Sequence, residues 1–284
     1  MGCVPNFNRR QFLKGALTAG AAGLIADGVF FEPRRIVVEK KTITINNLPQ
    51  VFEGFRICQL TDIHHSPFVG IKFIGKVVDE ANALKPDLMV LTGDYVDDSH
   101  KYIEPAVSAL CKLKSPNGIL SVLGNHDHWA GAELTKDVFN KYSIPVITNS
   151  NKLIEIKDTA ICVAGVGDFM EGSQDLKAAF HGVSNDIPRI LLSHNPDYAE
   201  VMSKTARVDL VLAGHTHGGQ VRLPFSIAPV TMSNYGQKYT GGLVKLPNTQ
   251  VYVSRGIGVV GLPIRFNCPP EITLITLTRD ARKV

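Results

Sequence analysis

The stretch DLVLAGHTHGG, Asp209 to Gly219, decides how this chain is read: an apolar run of Leu210, Val211 and Leu212 ends in two histidines set among small residues. The same grammar occurs four more times. FRICQL (55–60) runs into TDIHH, DLMVL (87–91) into TGDYVDD, GILSVL (118–123) into GNHDHW, and RILL (189–192) into SHNPD. Short apolar runs bounded by polar turn residues read as strands. Helices are expected between them, at Lys72 to Leu84, Ile103 to Leu113, Glu133 to Tyr142 and Tyr198 to Thr205, with Pro86, Pro116 and Pro188 as stops. Strands alternating with helices predict an α/β sheet, where ligands gather beyond the carboxyl ends of the strands; all five polar motifs fall there. KLIEI (152–156) and AICVAGV (160–166) read as a hairpin, and QVYVS (250–254) and EITLITL (271–277) as late strands of a second sheet. RIVVEKKTITI (35–45) alternates like a strand with one exposed face, carrying Ile36, Val38, Ile43 and Ile45.

The totals narrow the function classes. At 284 residues, 44% hydrophobic and 20% charged, the chain can bury one substantial core. The formal charge of +4 includes Arg9, Arg10 and Lys14 against Asp27 near the N-terminus, which leaves the rest of the chain at about +2. That is too weak and dispersed for nucleic-acid binding, and no nucleic-acid partner is expected. Cys58, Cys111, Cys162 and Cys268 lie far apart, mostly inside apolar runs, and read as buried free thiols.

NRRQFLKGALTAGAAGLIADGVFF (8–31) resembles a twin-arginine export signal, with Asn8 where such signals often carry Ser or Thr. Its apolar run of about 17 residues, interrupted by Asp27, is short for a spanning helix, which needs roughly 20 apolar positions. No small-x-small cleavage site follows, so the segment is expected to stay attached as an anchor, and Cys3 is badly placed for a lipoprotein cysteine. Residues 1–31 are therefore expected to be a signal or membrane anchor, and residues 32–284 one domain without internal repeats.

Seven of the nine histidines, His64, His65, His126, His128, His194, His215 and His217, fall in the five strand-end motifs. Imidazole with carboxylate is the usual ligand mixture for Zn, Mn or Fe. The ordered set D-x-H (Asp62, His64), G-D (Gly93, Asp94), G-N-H-D (Gly124 to Asp127), His194 and G-H-x-H (Gly214 to His217) resembles the calcineurin-like metallophosphoesterases. HTHGGQVRLP, SRGIG and NCPPEIT extend the resemblance to exported bacterial phosphodiesterases that carry a twin-arginine signal.

The resemblance implies a four-layer α-β-β-α sandwich holding two divalent ions, Mn, Zn or Fe. Asp62, His64 and His217 would hold one ion, Asn125, His194 and His215 the other, and Asp94 would bridge them. Ions about 3.5 to 4 Å apart repel, so a shared carboxylate is needed, and the pair activates a water for in-line attack on phosphorus. His126 is expected to donate a proton to the leaving oxygen, with Asp127 orienting its ring. In an extended G-H-x-H the two imidazoles alternate and reach different ions. His65 and His128 match no required position and read as solvated loop residues. Asp97 and Asp98 read as an acidic loop or helix start. Arg222 and Arg255 fit a phosphate contact and a salt bridge equally, and Trp129 a core position and a pocket wall equally.

The loop from Arg222 to Gly242 carries Leu223, Phe225, Ile227, Val230 and Met232; such residues ordinarily anchor a loop to the core. Its place beside the metal motif also allows it to guide a lipid-linked or envelope phosphate ester into the site. The expected activity is a phosphodiesterase in the periplasm or at the outer face of the cytoplasmic membrane, after passage through the twin-arginine machinery. Two alternatives stay open: a pyrophosphatase at the cytoplasmic face cutting a UDP-linked diacylglucosamine, and a non-catalytic envelope ligand-binding protein.

Overall fold

The computed structural model describes residues 8–202 and 207–280. Cys3 and the end of the expected helix Tyr198 to Thr205 lie outside the described residues. Eleven strands are described: β1 (Val37–Ile45), β2 (Arg56–Leu60), β3 (Leu88–Thr92), β4 (Ile119–Val122), β5 (Ser150–Ile156), β6 (Thr159–Gly165), β7 (Arg189–Leu192), β8 (Leu210–Ala213), β9 (Gly242–Lys245), β10 (Gln250–Val253) and β11 (Glu271–Arg279). They form two sheets, ordered β1-β11-β2-β3-β4 and β5-β6-β7-β8-β10-β9. β2, β3 and β4 run parallel, as do β6, β7, β8 and β10, so the five motif-bearing strands aim their carboxyl ends at one edge.

Strand alternation builds the layers. Ile57, Leu88, Val90, Leu120 and Val122 face Ile161, Val163, Ile190, Leu192, Leu210 and Leu212 across the sandwich. The intervening Cys58, Leu60, Met89 and Leu91 turn outward onto helices α2 (Ile71–Ala83), α3 (Ile103–Leu110) and α4 (Asn125–Lys141). On the far side Cys162, Ala164, Leu191 and Val211 pack on the short α5 (Leu176–Ala179) and α6 (Tyr198–Val201). These are the four expected layers. The buried Gln59 amide crosses the sandwich, donating to the Thr92 hydroxyl and the Ala213 carbonyl, both at 2.9 Å, directly beneath the motif edge.

Two expectations are corrected, for β11 and for α4. β11 (EITLITL) does not join the second sheet; it inserts between β1 and β2 of the first, parallel to one and antiparallel to the other. The end of β1 alternates as expected, with Thr42 and Thr44 exposed and Ile43 and Ile45 buried on the Phe52 and Phe55 cluster. α4 starts at Asn125, inside the motif, well before Glu133. It bends at Gly131, whose φ of 126° no other residue type adopts readily. The β5–β6 hairpin forms as expected.

The N-terminal helix, here called αN (Arg9–Ala26), opens on a capping box in which the Asn8 side chain accepts from Gln11 N–H at 2.9 Å. It continues without a break through helical turns to Arg34, and this 26-residue stretch is long and apolar enough to cross a membrane by length and composition. The last turns dock on the domain: Arg265 N–H donates to the Gly28 carbonyl at 2.9 Å, and Cys268 N–H donates to the buried Glu32 carboxylate.

Candidate metal centre

The backbone at the motif edge is unusual before any side chain is considered. Asp62, His64, Asp94, His215 and His217 all have φ between 47° and 69°, the left-handed region that costs a non-glycine residue about 1 kcal/mol or more. Asp and His are among the types that tolerate it best. The turn at each strand end thus throws a donor side chain toward a common point. Glycine makes the close approach possible: a Cβ on Gly214 would lie 2.2 Å from Asp62 Oδ2, and one on Gly124 2.2 Å from Asp94 Oδ1.

All seven expected ligands converge, in two clusters. In one, His217 Nε2 lies 3.2 Å from Asp62 Oδ1 and 3.0 Å from His64 Nε2. In the other, His215 Nδ1 lies 3.1 Å from Asn125 Oδ1 and 3.3 Å from His194 Nε2. Asp94 stands between them: its Oδ2 is 3.1 Å from His194 Nε2 and 3.5 Å from His64 Nε2, while its Oδ1 accepts His126 N–H at 2.9 Å. His215 and His217 reach different clusters as expected, but not by strand alternation; both residues are left-handed, and a tight turn begins at His217.

The donor set fits cations. Thr92 carbonyl oxygen, 2.8 Å from His194 Nδ1, can only accept, so Nδ1 carries the hydrogen and Nε2 presents a lone pair. That lone pair faces a carboxylate oxygen and a second ring nitrogen; only a proton or a cation between them makes the contact favourable. Burial opposes charge on Asp62 and Asp94, yet His217 and His194 hold Asp62 low, and His194 and His64 hold Asp94 low. Burial likewise works against a charged His194, but the Asp94 carboxylate raises it well above the ordinary imidazole range. For His217 burial prevails over Asp62 and brings the ring down to about 4.

His126 lies at the mouth of the clusters, and its expected partner is corrected. The Asp127 carboxylate does not orient the ring. It accepts the backbone N–H groups of Asp94 and Tyr95 at 2.8 Å and of Gly124 at 2.9 Å, capping α4 and fixing the Asp94 turn. Neighbouring residues on a helix diverge by about 100°, so consecutive side chains do not meet. Asp97 stands there instead: its carbonyl bonds His126 Nδ1, and its Oδ1 lies 3.5 Å from that nitrogen and 3.6 Å from His64 Nδ1. Sequence reading missed Asp97, although its place three residues after Asp94 in one turn was a usable signal. It also missed Arg265, fully buried, whose guanidinium donates to the carbonyls of Gly258 (2.6 Å), Arg255 (2.8 Å) and Cys268 (2.9 Å) and lies 3.5 Å from His217 Nδ1.

The remaining candidates resolve plainly. His65 is buried, its Nδ1 bonded to the Val69 carbonyl at 2.7 Å, so it is structural and not solvated. Arg255 pairs with Glu39 and Glu271, and Arg222 donates to the Gly218 and Thr240 carbonyls. Trp129 is a pocket wall, its ring 4.5 Å from that of His126 and its indole N–H bonded to Glu171. With Phe169, Met170, Met232 and Val260 it gives a cleft of about 360 Å³ an apolar rim around the polar floor. Leu223, Phe225, Ile227 and Val230 do not anchor their loop to the core; all four are exposed.

Comparison with known proteins agrees with this geometry. The calcineurin-like phosphoesterase family profile matches residues 55–219, and the twin-arginine translocation signal profile matches residues 6–26. The chain is 37% identical to the uncharacterized metallophosphoesterase YkuE of Bacillus subtilis (strain 168), over 96% of this chain and 99% of that one. It is 33% identical to phosphodiesterase YaeI of Escherichia coli (strain K12), over 78% and 82%. The Haemophilus influenzae NAD nucleotidase structure superposes with a TM-score of 0.50 at 15% identity, over 72% of this chain and 50% of that one, a likeness of fold alone.

Proposed function

The chain belongs to the calcineurin-like phosphoesterases and is a hydrolase of phosphoric esters, and we propose that it is a two-metal phosphodiesterase acting on an envelope or lipid-linked substrate. Asp62, His64 and His217 hold one ion, Asn125, His194 and His215 the other, and Asp94 spans both. What carries the reading is the pair of lone-pair clusters that share this one carboxylate.

When bound, two divalent ions supply Lewis-acid charge to the phosphate and lower the pKa of water. The protein's own groups do the rest. One carboxylate besides the bridge leaves the centre net positive toward a phosphate. His126, held by Asp97, stands at the cleft and protonates the departing oxygen. The apolar rim of Trp129, Phe169 and Met232 excludes water and accommodates the non-phosphate part of a diester. Residues 1–31 serve as a twin-arginine signal retained as an anchor and residues 32–284 as the catalytic domain, which places activity on the outer face of the cytoplasmic membrane.

The test uses purified full-length protein in detergent, loaded with Mn or Zn, on bis-p-nitrophenyl phosphate, with metal content measured in parallel. Hydrolysis with two ions per chain is expected; failure across several metals overturns the reading in favour of ligand binding. A reporter fused to residues 1–35 should travel the twin-arginine route. Absence of transport would move the enzyme to the cytoplasmic face.

A further inference from the structure

We infer that the groove formed by the N-terminal segment and the α2 entry is a bilayer-docking face, so that the catalytic cleft opens beside lipid headgroups. The inference rests on αN being a retained anchor. The groove, about 480 Å³, is lined by Val29, Phe30, Phe68, Phe73, Val259 and Pro263, with Arg34 and Lys72 also on its walls. Val259 is buried at its base, and the rim is open to solvent: Phe30 is 61% exposed, Phe68 59%, and the adjoining Phe31 and Leu262 68% and 71%. Contiguous exposed aromatics of this kind mark an interface.

The joint between αN and the domain identifies the occupant. Helical backbone runs unbroken from Arg9 to Arg34, and its last turns are pinned by the Gly28–Arg265 and Glu32–Cys268 bonds. No slack separates the apolar helix from the groove. Phe30 and Phe31 prolong the helix itself, so whatever surrounds the end of αN also covers the groove. A 26-residue helix rises about 39 Å, more than the roughly 30 Å hydrocarbon core, which leaves its final turns in the interfacial layer. Phenylalanine rings beside Arg34, Arg35 and Lys72 are the pattern such a layer accepts, the rings in the acyl boundary and the cations among anionic headgroups.

The consequence for the site is direct. Val259 lines the groove and Val260 lines the catalytic cleft, so one two-residue wall separates the lipid surface from the metal centre. Gln220, next to the G-H-x-H turn, clamps that wall with two hydrogen bonds to the Val260 backbone at 2.8 and 2.9 Å. A phosphodiester at headgroup depth can enter without leaving the membrane.

The full chain is reconstituted in vesicles of phosphatidylcholine and phosphatidylglycerol with brominated acyl chains, as single variants Leu17→Trp, Phe68→Trp, Leu262→Trp and Tyr142→Trp. Each is read as quenching beyond that of the wild type, whose only tryptophan is Trp129. Phe68→Trp and Leu262→Trp should be quenched to a degree approaching Leu17→Trp in the helix. Tyr142→Trp, on a groove shared with Ile119 at the opposite strand ends, should not be. Quenching at Leu17→Trp alone, or at none of the variants, overturns the proposal. Hydrolysis of bis-p-nitrophenyl phosphate by the same variants in detergent reports separately on the hydrolase reading.

Discussion

Asp127 follows the proposed proton donor in sequence and Asp97 bonds its ring, and their surroundings give them opposite jobs. Asp127 satisfies three buried N–H groups; each donor left without a partner costs about 1–3 kcal/mol. Asp127→Ala should therefore lower stability by roughly 3 kcal/mol or more, a melting shift on the order of 10 °C in calorimetry. Asp97 is half-buried, and Asp97→Ala keeps the carbonyl bond to the His126 ring while removing the carboxylate that lies 3.5 Å from His126 Nδ1 and 3.6 Å from His64 Nδ1, so melting should stay nearly unchanged while kcat falls about 10-fold. A reversed pattern, catalysis lost and stability kept in Asp127→Ala, would restore Asp127 as the orienting group. Gly214→Ala probes geometry instead: the new Cβ meets Asp62 Oδ2, so one ion should be lost on metal analysis while the circular dichroism spectrum stays native. The ligands themselves were legible because each motif fixes a residue type whose chemistry has few substitutes. Arg265 was not, since its contacts depend on how separate loops fold over the strand ends; Asp97 was overlooked despite its place three residues after Asp94, and Asp127 was misread because sequence adjacency is not adjacency on a helix.

The strands carry a consequence for thiol chemistry. Cys58 on β2 and Cys162 on β6 face outward into the two helical layers, where burial pushes both thiols up to about 12. Cys268 is also buried, its Sγ donating to the His217 carbonyl at 3.3 Å, and among the described residues only Cys111 is part-exposed. Only thiolate reacts readily, so Ellman's reagent should titrate Cys111 and at most Cys3 quickly in native protein, and all five cysteines in guanidinium. Three or more fast thiols under native conditions would contradict the layered packing. At this scale the parallel strands were legible because their apolar runs stop abruptly at polar turns. The sheet that receives EITLITL was not, since alternating residues suit either sheet and only the packing of β1 decides. The start of α4 was hidden too, because GNHDHW was read for its chemistry, while the same residues form the helix's first turn with Asp127 as its cap.

Across the whole molecule, each proposed ion draws ligands from both sheets. Asp62 and His64 follow β2 while His217 follows β8; Asp94 and Asn125 follow β3 and β4 while His194 and His215 follow β7 and β8. Bound cations would therefore clamp the motif edge of the sandwich, where without them buried carboxylates and imidazoles are held together by protons alone. A ligand that binds only the folded state adds about 4 kcal/mol when present at 1,000 times its dissociation constant. For a chain of this size that corresponds to a rise in melting temperature on the order of 10 °C for each site. Protein stripped with a chelator should melt lower, and Mn or Zn titrated back should raise the transition in step with the ions bound. Asp94→Asn keeps the shape of the bridge but removes its charge, so the stripped variant should melt near the stripped wild type and gain little from added metal. If instead the wild type melts at one temperature with and without metal, the seven side chains do not join the sheets through ions, and their convergence would have to be explained by the hydrogen-bonded turns alone.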